Sequence, residues 1–163
     1  AGGMNVIVNA DPAVAGVAGG DDDEPQTPRL KAFALRVRDA AVFAGFLHDV
    51  TAATEAFDAA MRAVDVPALV EAVVAHYGAM RDLGERAGAP IVTPELARLA
   101  AAIEPLGAAL KPSGAGGGDV SLLFAHDRDA LDEATRAASQ EGFTVVELEP
   151  DARGVAVSLE DEA

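Results

Sequence analysis

The chain has no cysteine, no tryptophan and one tyrosine, and its 12 lysines and arginines are outnumbered by 27 aspartates and glutamates, a formal charge of −15. Each shortage excludes something. Without cysteine there is no disulfide framework, no thiolate metal site and no thiol nucleophile; stability rests on packing, and the composition fits a reducing cytoplasm. The acidic excess repels a phosphate backbone and an anionic lipid surface alike, which argues against nucleic acid or a membrane as partner. No apolar run approaches the ~20 residues that cross a bilayer, and the first residues lack the charged and long apolar regions of a signal peptide. His48, His76 and His126 are scattered, with no second ligand at metal spacing, and Asp21-Asp22-Asp23-Glu24 lacks the spaced ligands of an EF-hand loop. No metal site is assigned. No Gly-x-Ser-x-Gly elbow occurs, so a hydrolase is not supported, and no catalytic residue is assigned.

What the chain does have is apolar residues, half of its 163, enough for one core. Ala1-Gly2-Gly3 precede Met4 and are expected to be a remnant, with Met4 an authentic or a chosen start, so the domain is taken as residues 4–163. Met4 to Asn9 is β-branched and runs into Asp11-Pro12, a strand that stops at a turn. Residues 13–26 are rich in glycine, alanine and aspartate and form a loop. Thr27-Pro28 supplies an N-cap and a first-turn proline for a long or broken helix reaching about Val64, with Thr51 as a point of restart. Asp65 caps a second helix, whose stripe of Val66, Leu69, Val70, Val73, Tyr77, Met80 and Leu83 closes at Gly88. Thr93-Pro94 opens a third, which Pro105 limits to about three turns. Ala108-Ala109-Leu110 leads into a glycine-rich loop, Val120 to Ala125 is a strand, and Asp127 caps a last helix ending at Gly142. Phe143 to Leu148 and Val155 to Leu159 complete an antiparallel hairpin around Asp151-Ala152-Arg153-Gly154. The sum is an α+β domain: an antiparallel sheet of about four strands with helices packed on one face.

The stretch Lys111-Pro112-Ser113-Gly114-Ala115-Gly116-Gly117-Gly118-Asp119 holds four glycines in nine residues. Glycine lets successive amides converge and lets the backbone approach a ligand without a β-carbon in the way, as in loops that cradle phosphate. Ser113 adds a hydroxyl donor and Lys111 a point charge. The order is not that of a P-loop, and a strand rather than a helix follows. By composition alone the stretch is equally a flexible connector.

Its order closely resembles the third signature motif of phosphomevalonate kinases in the GHMP superfamily, which also contains mevalonate kinase, galactokinase and homoserine kinase. Thr93-Pro94-Glu95-Leu96 is similar to the family's Thr-Pro-x-Leu segment, and Gly20 with Thr27-Pro28-x-Leu30 is similar to an earlier Gly-x-x-x-x-Thr-x-x-Leu stretch. Residues 111–119 carry the specific match; Val120 and Ser121 depart from it, standing where Cys-Gly is common. The resemblance implies a ferredoxin-like C-terminal kinase domain. It also implies a loop under the ATP phosphates that helps close the acceptor pocket, carried by Ser113, Gly114, Ala115, Gly116 and Gly117. Lys111, Gly118 and Asp119 are weaker candidates, since Asp119 equally suits capping of backbone amides. ATP and magnesium are the implied cofactors, and a small-molecule phosphate acceptor the implied substrate. On this reading Gly116→Ala places a methyl group in the cradle and weakens phosphate binding with little loss of fold.

The family's N-terminal half carries a Pro-x-x-x-Gly-Leu-Gly-Ser-Ser-Ala loop and usually a catalytic aspartate, and neither motif occurs here. Phosphoryl transfer depends on positioning and charge neutralisation from several surfaces. The chain is therefore expected to be inactive alone and to need an N-terminal kinase half, on the same or a separate polypeptide. A different class of function, a non-catalytic dimerisation or regulatory domain on the same fold, is the alternative.

Overall fold

The computed structural model describes residues 3–9, 40–114, 116–117 and 120–147. The elements run β1 (Gly3–Asn9), α1 (Ala40–Ala63), α2 (Val66–Ala87), α3 (Pro94–Ile103), a 3₁₀ turn (Glu104–Leu106), β2 (Ala108–Pro112), β3 (Val120–Ala125), α4 (Arg128–Gln140) and β4 (Phe143–Glu147). The sheet has the order β2-β3-β1-β4, every neighbouring pair antiparallel, with Val6 opposite Leu122 and Val146, and Leu110 opposite Leu123. This is the split β-α-β arrangement of ferredoxin-like domains. Here the α1–α2 hairpin lies between β1 and α3 in the chain.

Local chemistry sets the helix ends. The carboxylate of Asp65 accepts from the Ala68 amide, the hydroxyl of Thr93 from Leu96 and the carboxylate of Asp127 from Ala130, each satisfying an otherwise orphaned first-turn donor. Gly88 ends α2 at φ +61. The α1–α2 turn departs from that pattern, because Val64 takes φ +56, a strained choice for a β-branched residue, while its side chain stays 84% exposed. Thr51 does not restart anything: α1 runs through it unbroken. The proposed Thr27-Pro28 start, the 13–26 loop and the 155–159 strand lie outside the described residues.

Alternation along β2 and β3 divides the core into two layers. Ala108, Leu110, Leu123 and Ala125 face Leu96, Leu99 and Ile103 of α3 and Leu131, Ala134 and Ala138 of α4, and Leu99, Leu123 and Ala134 are completely buried. Ala109 and Phe124 on the other side meet Val70 and Val73 of α2, with Phe57 of α1 edge-on to Phe124 at 5.9 Å between ring centroids. The expected α+β layout with a small antiparallel sheet is thus present. Its helical layer is α3 and α4, and the α1–α2 hairpin covers part of the opposite face at β2 and β3.

One strand was not expected where it lies. The expectation has Ala108-Ala109-Leu110 leading into a loop that begins at Lys111. In the structure residues 108–112 form β2, paired with β3 from Ala108–Ala125 to Pro112–Ser121. β2 is the outermost strand of the described sheet, the position where a proline's missing N–H is tolerated.

Candidate functional site

The glycine-rich segment is the connection of the β2–β3 hairpin. The Ser113 amide donates to the Val120 carbonyl at 2.9 Å, closing the hairpin where pairing ends. Beyond that bond, Gly114, Gly116 and Gly117 all take positive φ, +72, +81 and +94, which an L side chain resists. A second bond at 2.9 Å, from the Gly117 amide to the Ile91 carbonyl, pins the far side of the loop to the α2–α3 connection.

The glycines differ in what their missing β-carbons permit. A β-carbon on Gly116 would lie 2.5 Å from the Ile91 carbonyl oxygen and 2.7 Å from Ile91 Cγ2. Ile91 is held from the other side as well, because a β-carbon on Gly84 in α2 would meet the Ala89 oxygen at 2.8 Å and Ile91 Cβ at 3.2 Å. Ile91 is 6% exposed and packs with Met80 and Leu83. It is therefore a wedge between α2 and the loop, and Gly116 is glycine because the protein's own backbone occupies the space. This corrects the expectation that a methyl group at Gly116 enters the cradle with little loss of fold. Gly114 and Gly117, by contrast, meet no other segment among the described residues within 4 Å of a built β-carbon, so their open sides are the ones a ligand can approach.

Ser113 and Gly114 are exposed, and Pro112 just before them is buried. Lys111 belongs to β2, not to the loop. It lines a cavity with Phe57, His76 and Leu122 on the α1–α2 side of the sheet, and its ammonium donates to the Pro112 carbonyl at 3.1 Å. Burial lowers its pKa. His76 shares that cavity; burial, and then the charge of Lys111, lower its pKa too. Ala115, Gly118 and Asp119 lie outside the described residues. His48 and His126 are exposed and sit on different elements. Among the described residues no three His, Cys, Asp or Glu side chains are placed to hold a metal ion, and no helix is long and apolar enough to cross a membrane.

Two parts of this arrangement were not read from the sequence, the Ile91 wedge and Gly84. A partial signal existed for the second: glycine inside an otherwise strong helical stripe can mark a close approach by another segment, but α2 holds two, Gly78 and Gly84, and of these Gly84 is the crowded one.

The family described as GHMP kinases C terminal matches residues 66–144, a little under half of the chain. No curated protein matches the sequence. Among solved structures, a Lin0012 protein from Listeria innocua superposes with a TM-score of 0.72 at 22% identity, over 88% of this chain and 38% of that one. Streptococcus pneumoniae phosphomevalonate kinase, in complex with phosphomevalonate and AMPPNP, gives 0.65 at 17% identity over 90% and 40%. L. major mevalonate kinase in complex with R-mevalonate gives 0.66 at 16% over 90% and 42%. At these identities the likeness is one of fold, and the chain spans about two fifths of the length of these structures.

Proposed function

Taking residues 66–144 as a GHMP kinase C-terminal segment, we propose that the chain is the C-terminal part of an ATP-dependent kinase of the phosphomevalonate or mevalonate kinase type, acting in the cytoplasm. Its loop of residues 113–117 contributes to the phosphate and acceptor site, and the N-terminal half of the kinase supplies the rest. The observation that carries this is the anchored loop: Ser113 and Gly117 fix its ends, and Gly114 and Gly117 keep an open side with positive φ. Such a loop holds its geometry before a ligand arrives, which is what electrostatic stabilisation of a transferring phosphoryl group requires.

The Ser113 hydroxyl, exposed at the start of the loop, is the donor best placed for a phosphate oxygen. ATP fits this surface as a phosphate-bearing ligand. Magnesium needs only a few protein oxygens because it keeps waters and phosphate oxygens as ligands, so its protein ligands belong to the other half. The chain alone is inactive on this reading, since one surface cannot both neutralise and align the reactants.

The test is turnover with ATP, magnesium and phosphomevalonate in the presence of a GHMP kinase N-terminal half, fused or added. Ser113→Ala removes one hydrogen bond to a charged group, worth roughly 1.5–3 kcal/mol, so kcat/KM should fall about 10- to 150-fold. Unchanged turnover would remove the loop from the site. Turnover by the chain without the added half would refute the division of labour.

A further inference from the structure

Between the α1–α2 hairpin and the β2–β3 pair lies a cavity of about 310 Å³. Phe57, Val73, Leu122 and Phe124 make it apolar, and Lys111 with His76 gives it two polar walls. Small-molecule sites begin at roughly this size, so there is room for one compact ligand.

The lysine is the informative group. Among the described residues its ammonium has one hydrogen-bond acceptor, the neighbouring Pro112 carbonyl, while the ion pairs of those residues all belong to arginines. A half-buried cation against apolar walls, without a carboxylate, is costly to keep. Among the described residues the buried Nδ1 of His76 has no hydrogen-bond partner. Burial and the Lys111 charge both disfavour the imidazolium, which leaves Lys111 as the cation of this cavity.

We propose that this cavity binds a small amphipathic carboxylate, its apolar body against Phe57, Val73, Leu122 and Phe124 and its carboxylate on the Lys111 ammonium. One ammonium and no lining guanidinium match a monoanion better than a phosphate dianion, which draws on several donors. The site is separate from the open side of the glycine loop and does not rest on the kinase reading.

Calorimetric titration of the 163-residue chain with sodium octanoate tests this, with octan-1-ol as the uncharged match and octyl phosphate as the dianion. Octanoate should bind saturably at one site, at least about tenfold more tightly than octanol, and Lys111→Met should abolish that preference while leaving octanol binding in place. Thr54→Leu, which narrows the cavity from the exposed side of α1, should weaken both ligands and stands as an independent check should Lys111→Met fail to fold. The proposal is overturned if octanoate binds no better than octanol, if octyl phosphate binds better than octanoate, or if Thr54→Leu changes nothing.

Discussion

Gly116→Ala offers the most direct check on how the loop is held. The added β-carbon meets the Ile91 carbonyl oxygen at 2.5 Å, its Cγ2 at 2.7 Å and its carbonyl carbon at 3.1 Å, and the residue must keep φ near +81. A left-handed backbone costs an L residue about 1–2 kcal/mol, and a methyl group forced into a packed site costs about 1–3 more, so ~2–5 kcal/mol of stability should be lost. Domains of this size have roughly 5–15 kcal/mol to lose, so the variant should still fold, with a lower urea midpoint and an unchanged m-value. Gly114→Ala is the control: it carries the same kind of backbone penalty at φ +72 but meets no other segment among the described residues within 4 Å, and should lose only about 1–2 kcal/mol. Ile91→Ala destabilises by itself, since Ile91 is buried against Met80 and Leu83, but in the Gly116→Ala background it should cost less than in the parent, because it removes the Cγ2 clash while leaving the carbonyl oxygen in place. If Gly116→Ala proved no more destabilising than Gly114→Ala by urea denaturation, the Ile91 wedge would not be what demands glycine there.

Val64→Gly should stabilise the chain by up to about 1 kcal/mol, since it relieves φ +56 at an 84% exposed side chain that contributes no packing; a lower thermal midpoint would contradict this. Stability should also depend on His76. Its folded pKa lies below the unfolded value of 6.5, so the unfolded chain binds the extra proton first, and the contribution of neutral His76 is present above 6.5 and lost as pH falls through 6.5 towards the folded pKa. His76→Leu should therefore shrink the difference in urea midpoint between about pH 7.5 and pH 5. An undiminished difference would assign the acid sensitivity to other groups.

Most of the elements were legible because their ends are written in short-range chemistry. Asp65, Thr93-Pro94 and Asp127 cap helices where an apolar stripe follows them, Gly88 and Gly142 adopt the positive φ that ends one, and short apolar runs bounded by turn residues, such as Val120 to Ala125, make strands. β2 was not legible. Ala108-Ala109-Leu110-Lys111-Pro112 has no strand preference of its own, and only pairing with β3 and cover from the helices on both sides makes it one.

By itself, the amino-acid sequence determined the fold class, the capped helices, the absence of thiol chemistry and the order of residues that marks the glycine-rich loop, all of which depend on residue identity over a few positions. The tertiary structure alone decided which glycine serves what. Gly116 yields to Ile91, while Gly114 and Gly117 stay open, because only folding brings the α2–α3 connection, 25 residues earlier in the chain, against the loop. The same holds for Lys111. A lysine beside a glycine loop reads as a phosphate contact, yet the pleat of β2 puts its side chain beside His76 and Phe57, since successive residues of a strand point to opposite faces.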